Sequence, residues 1–159
     1  MEKERVFVIA EAACTWHFGI DELGNAYRSI EAAKACGADA WKTQFTSNAS
    51  AMAKRRNLPD AEAMYRKYLQ YPVEYLHKLK AHCDKVGVEF MCTVFLIEDI
   101  LVIEPLVNRF KVSAYESKWD GFLHAFPRDK ELIMSVNPGS KYQDIQGRKI
   151  LHCISKYPT

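Results

Sequence analysis

The sequence predicts a parallel α/β fold, a sheet or incomplete barrel of about six strands with helices outside it. A helical pattern, a stop and an apolar strand recur as one unit. The unit appears at Gly37-Ala-Asp-Ala-Trp-Lys-Thr-Gln-Phe45, again at Val86-Gly-Val-Glu-Phe-Met-Cys-Thr-Val-Phe95, and again at Asn108-Arg-Phe-Lys-Val-Ser-Ala114. Each of these strands also carries polar residues toward its far end: Lys42 and Gln44, then Thr93, then Lys111. In parallel α/β folds ligands bind beyond the carboxyl ends of the strands. Two lysines aimed at one rim call for an anionic ligand, with phosphate the first candidate.

Taken in order, Val6 to Ala10 is a continuous apolar, β-branched-rich run, the pattern of a strand buried on both faces, and Glu11 ends it. A loop follows with Cys14, Trp16 and His17. A helix is expected from about Asp21 to Cys36, where Leu23, Ala26, Tyr27, Ile30 and Ala33 trace one stripe and Gly37 supplies the left-handed stop. Strand two spans Ala38 to Phe45. Thr46 to Pro59 is a polar loop containing the basic triplet Lys54-Arg55-Arg56, which as an isolated run is expected to be solvated. Helical patterns fill Asp60 to Val86, broken before Pro72. Strand three is Val88 to Phe95, and Glu98 to Val107 is a short helix interrupted near Pro105. Strand four is Arg109 to Ala114, a helical turn falls in Asp120 to Ala125, strand five is Glu131 to Val136, and strand six is Lys149 to Ile154.

With 159 residues the chain supports one domain with a sizeable core. It is 48% hydrophobic and 26% charged, as ordinary globular proteins are. A net charge of +2 gives no bulk argument for nucleic acid or a membrane surface, and neither is expected as a partner. The apolar stretch near the N-terminus is too short for a signal core or a membrane span. Five cysteines, an odd number with no CxxC spacing, fit reduced thiols and a cytoplasmic setting. Cys92 and Cys153 read as core thiols, and His152, in an apolar strand, as a hydrogen-bonded core histidine. Tyr65, Tyr68 and Tyr71 read as packing residues, and His17 as a candidate ligand or acid–base group.

Ile9-Ala-Glu11, Gly37 to Gln44, Cys92-Thr93, Phe110-Lys-Val112 and Leu151-His-Cys-Ile-Ser-Lys-Tyr-Pro-Thr159, in that order, resemble the N-acetylneuraminate (sialic acid) synthase family across nearly the whole chain. The resemblance implies a TIM-type (β/α)8 barrel, usually followed by a small antifreeze-like domain, in a homo-oligomer. It implies condensation of phosphoenolpyruvate with an N-acetylated sugar such as N-acetylmannosamine, with loss of phosphate, to a nine-carbon 2-keto sugar acid. A divalent metal, Mn or Mg, would polarise the sugar aldehyde. By the same resemblance Lys42, Thr93, Lys111, Ser135 and Ser155 bind substrate, Gln44 and Tyr157 line the pocket, Glu11 orients the sugar, and Glu116 is a second acid near the attacking water.

The sequence also departs from the family pattern. The first loop reads Thr15-Trp-His-Phe-Gly19 where the family has Asn-His-Asn-Gly, and Cys92-Thr-Val-Phe-Leu96 replaces Ser-Thr-Pro-Phe-Asp. Ala114 stands where the strand-four serine is usual, and Ser135-Val-Asn137 replaces Ser-Thr-Gly. The family's metal-binding histidines lie in later strands, and no metal ligand is assigned here. The expectation is therefore a partial barrel over residues 1–159, without the C-terminal strands and the antifreeze-like domain, and with little condensation activity on its own. A non-catalytic remnant that binds phosphoenolpyruvate or a partner is the alternative reading. A different aldol-type barrel acting on phosphorylated keto acids is a third.

Overall fold

A computed structural model describes residues 5–140 and 148–156. Six parallel strands lie in chain order, β1 (Ile9–Ala13), β2 (Ala40–Phe45), β3 (Glu89–Val94), β4 (Arg109–Val112), β5 (Glu131–Val136) and β6 (Arg148–His152). The helices are α1 (Glu22–Ala35), α2 (Ala49–Arg56), α3 (Glu62–Tyr68), α4 (Val73–Val86), α5 (Ile97–Ile103) and α6 (Asp120–His124), with short 3-10 turns among them. Neighbouring strands in sequence are neighbours in the sheet, which is the half-barrel expected of a partial TIM-type fold. No helix of the described residues is long and apolar enough to cross a membrane.

The helices begin and end where local chemistry dictates. Asp21 caps α1 by accepting from Gly24 N at 3.1 Å. Gly37 after α1 and Gly87 after α4 take φ of +82° and +74°, the left-handed stops that let each strand follow at once. Buried Ala26, Ile30 and Ala33 of α1, with Leu76, Leu79 and Cys83 of α4, pack on the outer face of the sheet. There they meet Trp41, Phe90, Phe110 and Met134. Each fully buried side chain of this size contributes about 1.5–3 kcal/mol.

The inner face is built in three levels, because alternate residues of every strand point inward. At the amino ends Arg109 bridges Glu89 (2.8 Å) and Glu131 (3.2 Å), and Lys149 joins Glu131 (2.9 Å). The Phe7 ring stacks on Arg109 at 4.3 Å. Above lies an apolar level of Ala40, Met91 and Ile133 with Ile9 against it. The carboxyl ends then present Glu11, Lys42, Gln44, Thr93, Lys111, Ser113 and Ser135.

Four expectations need correction. The first strand is Ile9–Ala13 rather than Val6–Ala10, and Val6 and Val8 are exposed. Pairing starts at Ile9↔Ala40, and Glu11 is tolerated inside the strand because it faces the polar rim opposite Lys42. The segment Thr46–Pro59 contains α2, with Asn48 accepting from Ala51 N at 3.0 Å and Asn57 closing it in the left-handed region. The basic triplet is its last turn, where cations favour the helix dipole, and two of its members point into the protein. Finally, His152 is exposed on β6, the outermost described strand, rather than held in a core.

Candidate functional site

A cavity of about 610 Å³ opens at the carboxyl ends of the strands. Its floor carries Glu11, Lys42, Gln44, Thr93, Lys111 and Ser135, all brought together as the sequence predicts. The parallel register does this: Glu11 lies opposite Lys42, Gln44 opposite Thr93, and Thr93 opposite Lys111. A bulge in β1 and a left-handed Ala13 (φ +49°) mark the end of the first strand beside this floor. Thr43 pins the turn by donating to Ala13 O at 2.8 Å while accepting from Trp16 Nε1 at 3.0 Å.

The two lysines are held differently. Lys42 is buried, paired with Glu11, and donates to Thr93 Oγ1 at 3.0 Å. Glu11 also accepts from Ala13 N at 2.8 Å, so the carboxylate is fixed to the bulge. Lys111 donates to Val112 O at 2.7 Å and Ser135 Oγ at 2.8 Å, and no carboxylate pairs with it among the described residues. Burial, and then the nearby Lys42 charge, lower the Lys111 pKa from 10.5 to about 8. Beneath the rim, burial pushes the Cys92 thiol well up, although Lys42 opposes it; Cys92 is the inert core thiol expected.

Ser155 lines the cavity and donates to Asn137 Oδ1 at 2.7 Å. Cys153, expected in the core, is half-buried and lines the cavity as well. Tyr157 lies outside the described residues. Glu116 does not line the cavity. It is fully buried behind the wall, where it accepts from Arg56 Nε at 2.8 Å and Nη2 at 2.6 Å and from the Ser113 hydroxyl. This geometry gives it the part of a brace rather than of an acid facing the cavity. His17 is also set back from the cavity, packed between Trp16 and Tyr71 with Nε2 3.4 Å from Glu22.

Sequence reading missed the second wall. Helices α2 and α3 contribute Met52, Arg56, Met64, Tyr65 and Tyr68, and Phe95 and Tyr115 continue it. Of the three tyrosines expected to pack, Tyr71 does so fully, while Tyr65 and Tyr68 also face the cavity. The Arg56 guanidinium lies 4.9–5.5 Å from the Tyr65, Phe95 and Tyr115 rings, so this wall is aromatic around one neutralised cation. The available signal was the pattern Asn48, eight helix-compatible residues, then Asn57. The cavity thus has a cationic, hydroxyl-rich floor and an apolar, aromatic side, suited to an anionic ligand beside a larger, partly apolar one.

Among solved structures, the chain is similar to an N-acetylneuraminic acid synthetase from Leptospira borgpetersenii crystallised with citrate. The TM-score is 0.79 at 22% identity, over 97% of this chain and 56% of that one. It is also similar to the spore coat polysaccharide biosynthesis protein SpsE of Bacillus subtilis, with a TM-score of 0.74 at 25% identity, over 97% of this chain and 45% of that one. An uncharacterized protein of Methanocaldococcus jannaschii is 25% identical over 98% of this chain and 48% of its own length. The chain thus spans about half the length of these relatives. The NeuB family model matches residues 29–159, which include β2 to β6 and both floor lysines, and the chain belongs to the NeuB family.

Proposed function

We propose that the cavity binds phosphoenolpyruvate for condensation with an N-acetylated hexose, as in a sialic-acid-type synthase. The observation that supports this reading most is the convergence of Lys42 and Lys111 with the Thr93 and Ser135 hydroxyls on one floor. Two cations and two hydroxyls suit a phosphate and a carboxylate on one small molecule. The sugar then stands against the Tyr65–Tyr68 side, with Glu11 and Gln44 in reach of its hydroxyls. In the reaction the enol carbon bonds to the aldehyde carbon, water adds at C2, and phosphate leaves with its bridging oxygen by C–O cleavage. Lys111 stabilises the departing anion and Lys42 the carboxylate or phosphate beside it.

A divalent metal on the aldehyde is part of the chemistry that the sequence resemblance implies. Among the described residues no three His, Cys, Asp or Glu side chains gather to hold one. Glu11 is engaged by Lys42, and Glu116 by Arg56. Homo-oligomerisation and a cytoplasmic setting go with the same reading, the latter supported by the five free cysteines.

Calorimetry with phosphoenolpyruvate tests the site. Lys42→Ala and Lys111→Ala should each weaken binding by about 1.5–3 kcal/mol, the worth of a hydrogen bond to a charged group. Equal binding by wild type and both variants would overturn the assignment.

A further inference from the structure

Lys111 is built unlike its neighbour. Lys42 has a carboxylate, Glu11, and a hydroxyl, Thr93. Lys111 has two neutral partners, the Val112 carbonyl and the Ser135 hydroxyl, and in the sheet register it lies directly opposite Ile133 of the apolar level. The charged and titratable groups around it are Lys42 on β2, Glu11 on β1, Cys153 after β6 and Glu116 after β4. Glu11 and Glu116 are already committed to Lys42 and Arg56. The fold thus places a desolvated amine beside a fixed ammonium on the floor of an open cavity.

We propose that Lys111 forms an imine with unphosphorylated 2-oxo acids that enter this cavity. The carboxylate of such an acid has the Lys42 ammonium and the Thr93 hydroxyl to receive it, and the adjacent carbonyl carbon then meets the Lys111 amine. The Nζ lone pair adds to C2, and the proton that the nitrogen then sheds goes to the carbonyl oxygen to give a carbinolamine. A second proton, from solvent, lets the nitrogen lone pair expel the hydroxyl as water and leaves a protonated imine; no oxidant or reductant takes part. Deprotonation of Lys111 near pH 8 supplies the free amine. This activity goes beyond phosphoenolpyruvate binding, in which Lys111 acts as an ammonium, and the two are separable by experiment.

The test is reductive trapping. The chain is incubated with pyruvate and cyanoborohydride, and the modified lysines are located by peptide mass spectrometry. Lys111 should be labelled at least about tenfold faster than exposed Lys54 and Lys85, because the Lys42 ammonium and the Thr93 hydroxyl hold the acid's carboxylate beside its amine, a partner set that the cavity gives only to Lys111. Labelling should rise as pH passes through about 8 and disappear in Lys111→Arg, which keeps the charge without the nucleophile. Labelling of Lys111 no faster than of Lys54 and Lys85, in the wild-type chain, would overturn the proposal. Added inorganic phosphate separates the two readings. Phosphate binding by calorimetry without trapping leaves the synthase-type site standing and ends this one. Trapping that phosphate does not suppress supports the imine and counts against phosphate at Lys111.

Discussion

Replacing Lys111 by methionine should change stability in a pH-dependent way whose size follows from the site. The folded protein holds this lysine with a pKa of about 8 against 10.5 for an ordinary lysine. At about 1.4 kcal/mol per pH unit, keeping it charged costs the fold about 3 kcal/mol at pH 7. Between about pH 8 and 10.5 the unfolded chain binds more protons than the folded one, so wild-type stability rises with pH across that window. Methionine never carries the charge and escapes the penalty. It also loses the hydrogen bonds to Val112 O and Ser135 Oγ, about 1 kcal/mol each, but that loss does not depend on pH. The stability of Lys111→Met relative to wild type should therefore fall by about 2–3 kcal/mol between pH 7 and pH 10. Urea titrations of both proteins at both pH values, in phosphate-free buffer, measure this difference, and groups common to the two proteins cancel. A difference constant within about 0.5 kcal/mol would refute the account of Lys111 as a desolvated, uncompensated cation.

The Arg56–Glu116 pair gives a second expectation. Arg56→Met strands a fully buried carboxylate and should cost about 3–5 kcal/mol in urea unfolding, and adding Glu116→Leu should recover most of that loss. A single-variant cost below about 1 kcal/mol would mean that the pair does not hold the wall. The affinity for inorganic phosphate should fall as pH rises through about 8, with proton uptake on binding, because the anion favours charged Lys111. Calorimetry in two buffers of different ionisation enthalpy measures that proton count.

The strands and the floor were legible in the sequence because they depend on short-range pattern. Period-two alternation puts Lys42 and Gln44 on the same face of β2, and the glycine stops at Gly37 and Gly87 set where β2 and β3 begin. The wall was not legible, for physical reasons. Arg56 sits in a basic triplet whose ordinary fate is solvent, and the carboxylate that draws it inward lies 60 residues away. The resemblance implies an acid near the attacking water at Glu116, whereas the fold buries this carboxylate behind the wall, and that burial depends on Arg56 arriving from α2. His152 has apolar neighbours in sequence, yet burial depends on what covers a strand, and β6 is the last strand of the described sheet. The burial of Arg56 and Glu116 and the exposure of His152 turn on what other elements supply, which no local pattern encodes, whereas α2 itself was marked locally by Asn48 and Asn57.

On the proposed reading, the floor sets aside free energy for binding an anion. A sheet that wanted only stability would give both lysines carboxylates, or neither a charge. Here the floor carboxylate Glu11 pairs with Lys42 and not with Lys111, and it is tied as well to the β1 bulge at Ala13 N. Lys111 is kept in place by neutral acceptors and by apolar Ile133 opposite it in the sheet, so its desolvation is met during folding rather than when a ligand arrives. An anion entering the cavity then supplies the counter-charge that the chain withholds. The penalty carried by the empty protein returns as affinity, with little side-chain ordering left to do. The aromatic side achieves the same end by another route. The Arg56 charge there is already neutralised by Glu116, so that wall offers ring faces and hydroxyls and does not compete with the floor for the anion. Two ligands of different character can therefore be sorted to opposite sides of one cavity by electrostatics alone.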